Sequence, residues 1–181
     1  MIFHPTFIND LYVIELELFK DQRGWFARTF CKEEFKKIGH HKEWVQMNHS
    51  FTNQMGAMRG MHFQLPPYTE TKLVRCISGS VYDVALDLRK DSPTFLKWFG
   101  TEISAENKKM ILIPDGFAHG FQALTNNCQL IYHHTNFYTP EAEGGIRYND
   151  PLIGIKWPLE VSDISEKDSK YVFLKEDFKG I

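Results

Sequence analysis

The chain has 181 residues, of which 43% are hydrophobic and 24% charged, and its formal net charge is −2. This composition predicts a single folded domain over residues 1–181. The near-neutral charge gives no support for nucleic-acid binding, which usually needs a strongly basic face, although a few aimed Arg and Lys side chains are enough to bind phosphate. The aromatic content of 14%, with 15 Phe, favours β-rich packing.

The three cysteines, Cys31, Cys76 and Cys128, are odd in number and form no CxxC pair. This spacing indicates reduced thiols and therefore predicts a cytoplasmic protein. The N-terminus has no basic segment followed by an apolar run, so we expect no signal peptide. No apolar segment approaches the ~20 residues that a membrane span requires, so we expect no membrane partner.

The first predicted elements along the chain are short strands. Alternating apolar residues predict a strand over residues 11–18. A polar turn that ends at Gly24 precedes a second extended segment over residues 25–30. Residues 32–38 are charged and end before Gly39, which predicts a short helix.

From Trp44 onward the sequence predicts strands and turns almost throughout. Residues 72–77 and 81–88 form a predicted hairpin, and one face of its second strand carries Asp83 and Asp87, which must be solvated or paired. Further strands are predicted over residues 99–103, 110–113, 120–124 and 129–138, with helical turns after Ser165. Short strands separated by regular turns predict an all-β sandwich, jelly roll or barrel with a few short helices.

Chemically active side chains are concentrated between Arg59 and Lys72, in the run Arg-Gly-Met-His-Phe-Gln-Leu-Pro-Pro-Tyr-Thr-Glu-Thr-Lys. A lone strand histidine is more often structural, but the charged neighbours of His62 favour a role as a base. Arg59 and Lys72 flank the Pro-Pro bend, so we expect both cations to face one cavity.

Three further candidates lie in the second half of the chain. Strand periodicity puts Tyr132 and Tyr138 on one face, ~20 Å apart at strand rise, although two core tyrosines with satisfied hydroxyls fit equally well. His119 follows the turn Pro-Asp-Gly and would start a strand. The segment from Ser165 to Asp168 matches a capping box, and the alternative has Asp168 folding back to orient a histidine; the local sequence alone favours the cap.

Five segments carry a family resemblance, and they are Gly56-Ala-Met-Arg-Gly-Met-His-Phe-Gln, Lys72-Leu-Val-Arg-Cys, Asp87-Leu-Arg-Lys-Asp-Ser-Pro-Thr-Phe, Ile113-Pro-Asp-Gly-Phe-Ala-His-Gly-Phe and Asn149-Asp-Pro with Trp157-Pro. In this order, and over nearly the whole chain, they resemble dTDP-4-dehydrorhamnose 3,5-epimerases. The resemblance implies a cupin-type jelly-roll barrel, a homodimer and no cofactor. It also implies epimerisation of a nucleotide-linked 4-keto-6-deoxyhexose for surface polysaccharides such as lipopolysaccharide O-antigen.

The resemblance also implies residue roles by position. His62 matches the base, Asp168 the carboxylate that orients it, and Tyr132 the acid on the opposite ring face. The residue types suit this chemistry, because a histidine paired with a carboxylate is a base near neutral pH. A donor such as Lys72, aimed at the 4-keto oxygen, would stabilise the enolate, typically by ~10²–10³ in rate. The positions that match substrate contacts are Arg23, Arg28, Gln46, Asn48, Arg59, His119, Tyr138 and Glu143, with Tyr138 stacking on the nucleoside base.

Two positions depart from the family pattern. Arg28 stands where the family commonly has Glu, so that a donor replaces an acceptor. Thymine has an N3–H that needs an acceptor, whereas cytosine N3 is itself an acceptor, so we hypothesise a nucleotide other than thymidine, such as cytidine. His134 departs as well, which leaves open whether C3, C5 or both are inverted.

Three alternatives remain at this stage. A metal-dependent cupin enzyme could use His62, Gln64, Glu70 and His119, but the pair reads His-x-Gln, and an amide is a poor ligand for a transition metal. A sugar-nucleotide binding module would not need a base and an opposed acid. A nucleotide-sugar 3,4-ketoisomerase on a related barrel is the nearest enzyme alternative. The sequence gives no role to Glu70 in the epimerase.

Overall fold

The structure, a computed structural model, describes residues 1–181 and consists mainly of short strands. In chain order the strands are β1 (Ile2–Pro5), β2 (Tyr12–Glu15), β3 (Phe19–Asp21), β4 (Gly24–Phe26), β5 (Gln46–Thr52), β6 (Met58–Gln64), β7 (Lys72–Ser78), β8 (Ser80–Asp87), β9 (Trp98–Ser104), β10 (Met110–Ile113), β11 (Phe117–Ala123), β12 (Cys128–His134) and β13 (Glu143–Gly145). The helices are α1 (Lys32–Lys36), one 3₁₀ turn (Pro140–Ala142) and α2 (Glu166–Ser169). None of them is long and apolar enough to cross a bilayer.

The strands form two main antiparallel sheets and a separate hairpin. The six-stranded sheet has the order β1-β2-β10-β7-β12-β5, and the five-stranded sheet has the order β13-β6-β11-β8-β9. Strands β3 and β4 pair only with each other. Most neighbours within a sheet are distant in sequence, as expected when two sheets pack face to face in a jelly roll. The predicted all-β jelly-roll fold is confirmed.

Side-chain alternation gives each sheet two apolar faces. In β10, Ile111 and Ile113 belong to the core between the sheets, whereas Met110 and Leu112 pack beneath Phe35 of α1 on the outer face. The outer face of the five-stranded sheet is covered by the C-terminal segment, which adds apolar side chains from residues 146–181. Both sheets are therefore shielded over much of their outer surface by non-strand segments.

The space between the sheets changes from apolar to polar along the strands. In β7 the inward side chains run from Cys76 and Val74 to Lys72, and in β12 they run from Leu130 to Tyr132 and His134. The apolar half of the space is packed core, and the polar half is left open as a pocket. The pocket therefore lies where the inward-facing positions of the strands change from apolar to polar residues.

A close approach of two glycines brings two strands of the five-stranded sheet together at this pocket. Gly60 has a φ of +114°, and a Cβ built there would lie 2.5 Å from the Gly120 Cα atom. The β6–β11 register shifts between His119 and Phe121, next to this contact. Any side chain at position 60 would push β11 away and displace His119, which pairs with His62 in the register.

The predicted elements differ from the structure mainly at their ends. The strands predicted over residues 72–77 and 81–88 are present as β7 and β8, but the predicted hairpin is wrong, because β7 pairs with β10 and β12 in one sheet and β8 with β11 and β9 in the other. The helix predicted over residues 32–38 is present but ends at Lys36. The strand predicted over residues 129–138 is wrong beyond His134. There the chain turns, because the Thr135 amide donates to the Thr71 carbonyl and the Tyr138 amide to the Gln46 side chain. Tyr132 and Tyr138 therefore do not share one strand face.

Candidate active site

A pocket of about 670 Å³ opens between the two sheets at the polar end of the barrel. Most of the predicted site residues line it, namely Asn48, Arg59, His62, Lys72, His119, Tyr132 and Asp168. The expectation that Arg59 and Lys72 face one cavity is confirmed. His62 and His119 come from the five-stranded sheet, and Lys72 and Tyr132 come from the opposite six-stranded sheet.

His62 is paired with a buried carboxylate from the C-terminal segment. Its Nε2 atom lies 2.7 Å from Asp168 Oδ1, and the other oxygen of Asp168 accepts the Gly60 amide at 3.0 Å. Burial alone would raise the pKa of Asp168, but the hydrogen bond and charge of His62, together with the Gly60 amide, hold it below its usual value. An ionised carboxylate can only accept, so Nε2 carries a hydrogen and Nδ1 is left as the basic nitrogen.

The capping and orienting interpretations of Asp168 hold together. Its main-chain amide donates to Ser165 Oγ at 3.0 Å, which caps α2, while its side chain binds His62. The Ser165 N-cap that the local sequence favours is therefore present, but the capping box is not completed, because the Asp168 carboxylate binds His62 and the Gly60 amide instead. One residue ties the C-terminal helical turn to the histidine of β6.

Tyr132 faces the pocket from the six-stranded sheet. Its hydroxyl lies 2.9 Å from Ser50 Oγ, and its ring centre is 6.2 Å from that of His119. Burial, the largest influence, raises the pKa of the Tyr132 phenol well above its usual value. The phenol therefore stays protonated in the pocket and is available as a proton donor.

His119 is bound to a carboxylate that the sequence left without a partner. Its Nε2 atom lies 2.9 Å from Asp83 Oδ2, and Asp83 has no exposed surface. Asp87, on the same strand face, is equally buried and binds Arg89, Ser92 and Thr94. Of the two alternatives that the sequence left for these acids, solvation or pairing, the structure shows pairing.

Lys72 is buried beside a second acid and a third histidine. Its residue is 8% exposed, and its Nζ atom lies 3.2 Å from Glu70 Oε1. The other oxygen of Glu70 is 2.7 Å from His134 Nδ1. Burial tends to raise the pKa of Glu70, but His134 and Lys72 together lower it below the usual value. The carboxylate is therefore ionised between two donors.

Polar groups that suit a diphosphate and sugar lie along β5 and β6. Arg59 is fixed by hydrogen bonds from Nε to Thr52 Oγ1 and from a terminal nitrogen to the Phe51 carbonyl, both of 3.0 Å. Gln46 and Asn48 lie next to each other on the inner face of β5, with 3.2 Å between the Gln46 Nε2 and Asn48 Oδ1 atoms. Asn48 and Arg59 line the pocket, whereas Gln46 does not and reaches it only through its hydrogen bond to Asn48.

Tyr138 and Glu143 lie outside the set of side chains that line the pocket. The Tyr138 hydroxyl donates to Glu143 Oε2 at 2.8 Å, and the ring is 52% exposed. Lys167 binds the same carboxylate and does line the pocket. Sequence reasoning missed Lys167, although its position beside Asp168 in the Ser-Glu-Lys-Asp segment was a signal. It missed Ser50 as well, for which strand alternation with Asn48 was the available signal.

Two predicted contacts are not brought to the pocket within the single chain. Arg23 lies in the β3–β4 turn, where its amide and side chain bind Asp21. Arg28 binds Glu34 through a hydrogen bond of 2.7 Å. Neither lines the pocket, and their roles stay predictions.

The ligand set of a metal-dependent cupin is not assembled. Glu70 binds His134 and Lys72, while the Gln64 amide nitrogen donates to the Tyr68 and Phe137 carbonyls. No three His, Cys, Asp or Glu side chains converge in the manner of a metal site. His62 and His119 instead each bind a separate aspartate.

Comparison with known proteins gives consistent matches over nearly the whole chain. A family model described as dTDP-4-dehydrorhamnose 3,5-epimerase matches residues 5–176. The chain is 46% identical over 164 residues to an enzyme of that description from Shigella flexneri, covering 90% of each chain. A solved structure of a dTDP-4-dehydrorhamnose 3,5-epimerase from Elizabethkingia anophelis NUHP1 superposes with a TM-score of 0.93 at 39% identity, covering 98% of each chain.

A second solved structure carries a ligand. It is a dTDP-6-deoxy-D-glucose-3,5-epimerase from Legionella pneumophila Philadelphia 1, determined in complex with dTDP-4-keto-L-rhamnose. Its TM-score is 0.89 at 40% identity, with 94% of this chain and 91% of that chain covered. The fold and the sequence therefore point to one group of enzymes.

Proposed function

Because the chain belongs to the dTDP-4-dehydrorhamnose 3,5-epimerase family and is therefore an epimerase of deoxysugar biosynthesis, we propose that His62 and Tyr132 carry its reaction from opposite walls of the pocket. One observation supports this assignment above the others. A histidine already bound to an ionised carboxylate and a phenol that holds its proton face the same cavity from different sheets. Inversion of a carbon centre needs this opposition of base and acid.

The proposed substrate is a nucleotide-linked 4-keto-6-deoxyhexose. His62 Nδ1 takes the proton from a carbon beside the ketone, and the electron pair of that C–H bond moves into the ring to give an enolate. Lys72 donates a hydrogen bond to the enolate oxygen, an interaction typically worth ~10²–10³ in rate. Tyr132 then delivers its proton to the opposite face of the same carbon, which inverts it. Proton exchange with solvent restores both side chains, so no oxidant, reductant or co-reactant is consumed.

The remaining predicted residues hold the nucleotide diphosphate and the sugar. Arg59 and Lys167 are cations of the pocket wall and suit an anionic diphosphate. Gln46, Asn48 and His119 are proposed to bind sugar or phosphate oxygens. Tyr138 is proposed to stack on the nucleoside base, because its ring is exposed while its hydroxyl is held by Glu143.

The identity of the nucleoside base is a separate question. The relatives are named for dTDP sugars, so a dTDP sugar is the first substrate that we propose. The Arg28 hypothesis, a cytidine nucleotide, remains a prediction and competes with it. Arg28 binds Glu34 in the single chain, so any contact with a base requires that this ion pair open.

We further propose that the enzyme is a homodimer. Strand β5 is the edge of the six-stranded sheet, and the side chains of Val45, Met47 and Phe51 are 42%, 65% and 53% exposed. The β3–β4 hairpin adds Phe19 and Phe26, which are 67% and 68% exposed. An apolar edge strand is a template for pairing with a second copy, and a second copy would bury these faces.

We propose that the enzyme works in the cytoplasm. All three cysteines are free, and Cys76 and Cys128 are buried. Burial raises the pKa of the Cys76 thiol to about 11, which keeps it unreactive. Free buried thiols are typical of a reducing compartment.

The assay that tests the proposed function uses the wild-type enzyme in D₂O. It is incubated with dTDP-4-keto-6-deoxyglucose or with the CDP-linked analogue, and deuterium at C3 and C5 is followed by NMR. We expect deuterium at C3, C5 or both, together with the inverted product. Absence of exchange with both sugars would contradict the function, and exclusive use of the dTDP sugar would contradict the cytidine hypothesis.

A further inference from the structure

The group that the proposed mechanism leaves unused is Glu70. Its side chain is 9% exposed, and it is the carboxylate that binds both Lys72 and His134. These three residues come from the loop before β7, the first residue of β7 and the last residue of β12, and the last two are paired in the register. An acid buried this deeply is rarely retained without partners that satisfy it.

The carboxylate fixes the tautomer of His134. His134 Nδ1 lies 2.7 Å from Glu70 Oε2, and an ionised carboxylate only accepts, so Nδ1 carries the hydrogen. The neutral ring then presents a lone pair at Nε2, which lies 3.4 Å from Asn48 Nδ2. Asn48 can donate to this lone pair only in the orientation that turns its Oδ1 towards Gln46.

The hydrogen bonds in this wall of the pocket therefore run in one direction. The Tyr138 amide donates to Gln46 Oε1 at 3.0 Å, Gln46 Nε2 donates to Asn48 Oδ1 at 3.2 Å, and Asn48 donates to His134. His134 donates to Glu70, and Lys72 donates to the same carboxylate. Glu70 is the anion that accepts both from Lys72 and from the series Tyr138, Gln46, Asn48 and His134. Its negative charge therefore sets the donor-to-acceptor direction of each hydrogen bond in that series.

We propose that Glu70 is a positioning residue of the epimerase, which aims the Lys72 ammonium at the substrate ketone and, through His134, fixes the side-chain amide of Asn48. This inference rests on the proposed function, because Lys72 and Asn48 matter only if the pocket binds the keto sugar. Glu70 itself lies behind both residues and does not line the pocket. One buried carboxylate thus positions both Lys72, which acts on the ketone, and Asn48, which binds the substrate.

A neutral isostere separates the charge from the packing. In Glu70→Gln the amide has a single acceptor oxygen for two donors, so it cannot hold both Lys72 and the Nδ1 hydrogen of His134. If the oxygen stays with Lys72, the amide NH₂ faces His134 Nδ1, and the ring proton moves to Nε2. The Nε2–H donor then faces the NH₂ donor of Asn48, so the Asn48–His134 hydrogen bond is lost and the Asn48 side chain is no longer held in the orientation that accepts from Gln46.

The first measurement is kinetic. We expect Glu70→Gln to lower kcat for deuterium exchange by about 10- to 100-fold, less than complete loss of a donor would, and to raise KM. His134→Gln leaves the Lys72–Glu70 pair in place, so it should raise KM with little change in kcat. Glu106→Gln makes the same chemical change on an exposed turn and should behave as wild type. Wild-type kcat and KM in Glu70→Gln would overturn the proposal.

The second measurement is spectroscopic and needs no substrate. Long-range ¹H–¹⁵N spectra of histidine-labelled enzyme, assigned with His134→Gln, should show His134 protonated at Nδ1 in wild type and at Nε2 in Glu70→Gln. An unchanged tautomer in a folded Glu70→Gln enzyme also overturns the proposal. If that variant does not fold, Glu70→Asp tests the same point, since its carboxylate should preserve the wild-type tautomer.

A wild-type enzyme without exchange on either sugar would defeat the proposed function, and the tautomer would still decide the arrangement around Glu70.

Discussion

His62 and Tyr132 are held by different partners, and this difference determines what each can do. His62 is bound to an ionised carboxylate, which stabilises the protonated ring that forms when it accepts a proton. Tyr132 is bound to the neutral hydroxyl of Ser50, and burial raises its pKa. The first residue is therefore prepared to take a proton and the second to give one.

Replacing His62 should remove proton abstraction altogether. We expect His62→Ala to lower deuterium exchange at C3 and C5 by about 10²–10⁴-fold, the usual worth of a general base. His41→Ala, an exposed histidine of the loop before β5, is the control and should exchange normally. Wild-type exchange rates in His62→Ala would show that another group is the base.

Replacing the Tyr132 hydroxyl should separate exchange from inversion. In Tyr132→Phe the base and Lys72 are intact, so deuterium should still enter from the face of His62, while formation of the inverted product falls by about 10²-fold or more. The variant loses one hydrogen bond, to Ser50, which costs about 1 kcal/mol of stability. Inversion at the wild-type rate would exclude Tyr132 as the acid, and Tyr68→Phe on the exposed loop after β6 serves as the control.

The residues that sequence reasoning could identify were those whose chemistry is visible locally. His62, Arg59 and Lys72 stand in one charged segment, and all three do line the pocket. Glu70 stands in the same segment but could not be interpreted, because its partner His134 lies 64 residues away and meets it only through the β7–β12 register. A pairing of this kind depends on the strand order of the sheet, which local patterns do not contain.

At the scale of elements, α1 and the loop after it cover the outer face of the six-stranded sheet with an unusual cluster. The His40 ring stacks on Trp44 at 4.6 Å, and Trp44 packs against His133 of β12 at 6.0 Å. The atoms His40 Nε2, Trp44 Nε1 and His133 Nδ1 are buried without hydrogen-bond partners. Burial is the largest influence on both histidines and lowers their pKa below the usual 6.5.

This cluster should make stability depend on pH. A histidine whose pKa is lowered by folding binds fewer protons folded than unfolded, so stability is fully present above pH ~6.5 and falls as the pH drops below it. We expect Tm to be constant above about pH 7 and to decrease towards pH 5. The His40→Gln/His133→Gln variant should have a flatter profile, whereas His41→Gln should keep the wild-type slope. A wild-type Tm that does not change between pH 7 and pH 5 would contradict the prediction.

Element boundaries show where periodicity stops being informative. The alternating pattern from Gln129 onward continues to Tyr138, but β12 ends at His134 because side chains and main-chain groups of β5 and the β6–β7 loop take over the hydrogen bonds. The alternation of polar and apolar side chains did locate the sheet faces, as Asp83 and Val84 show by lying on opposite faces of β8. Pattern therefore identifies the faces of a strand more reliably than its end.

At the scale of the whole molecule, the apolar edge of the six-stranded sheet predicts self-association. Light scattering coupled to size exclusion should give the mass of two chains. Met47→Glu puts a charge on the exposed edge strand and should shift the enzyme towards the monomer, while Val172→Glu, at a side chain that is 78% exposed elsewhere, should not. A wild-type enzyme that runs as a monomer would contradict the homodimer. The dimer would also test Arg23 and Arg28, since their positions outside the pocket of one chain are compatible with a role only after assembly.

The C-terminal segment has a consequence for how the enzyme fails on heating. Asp168, the proposed partner of the base, belongs to a four-residue helix, and the stretch around this helix is hydrogen-bonded to β6 through the Met58 amide, which donates to the Asp163 carbonyl, and through the contacts of Asp168 itself. Short segments near a chain end open locally at a lower free energy than central strands. Catalysis should therefore disappear reversibly a few degrees below the melting of the barrel, with activity returning on cooling and far-UV circular dichroism unchanged. An inactivation midpoint equal to Tm would show that the segment melts only with the sheets.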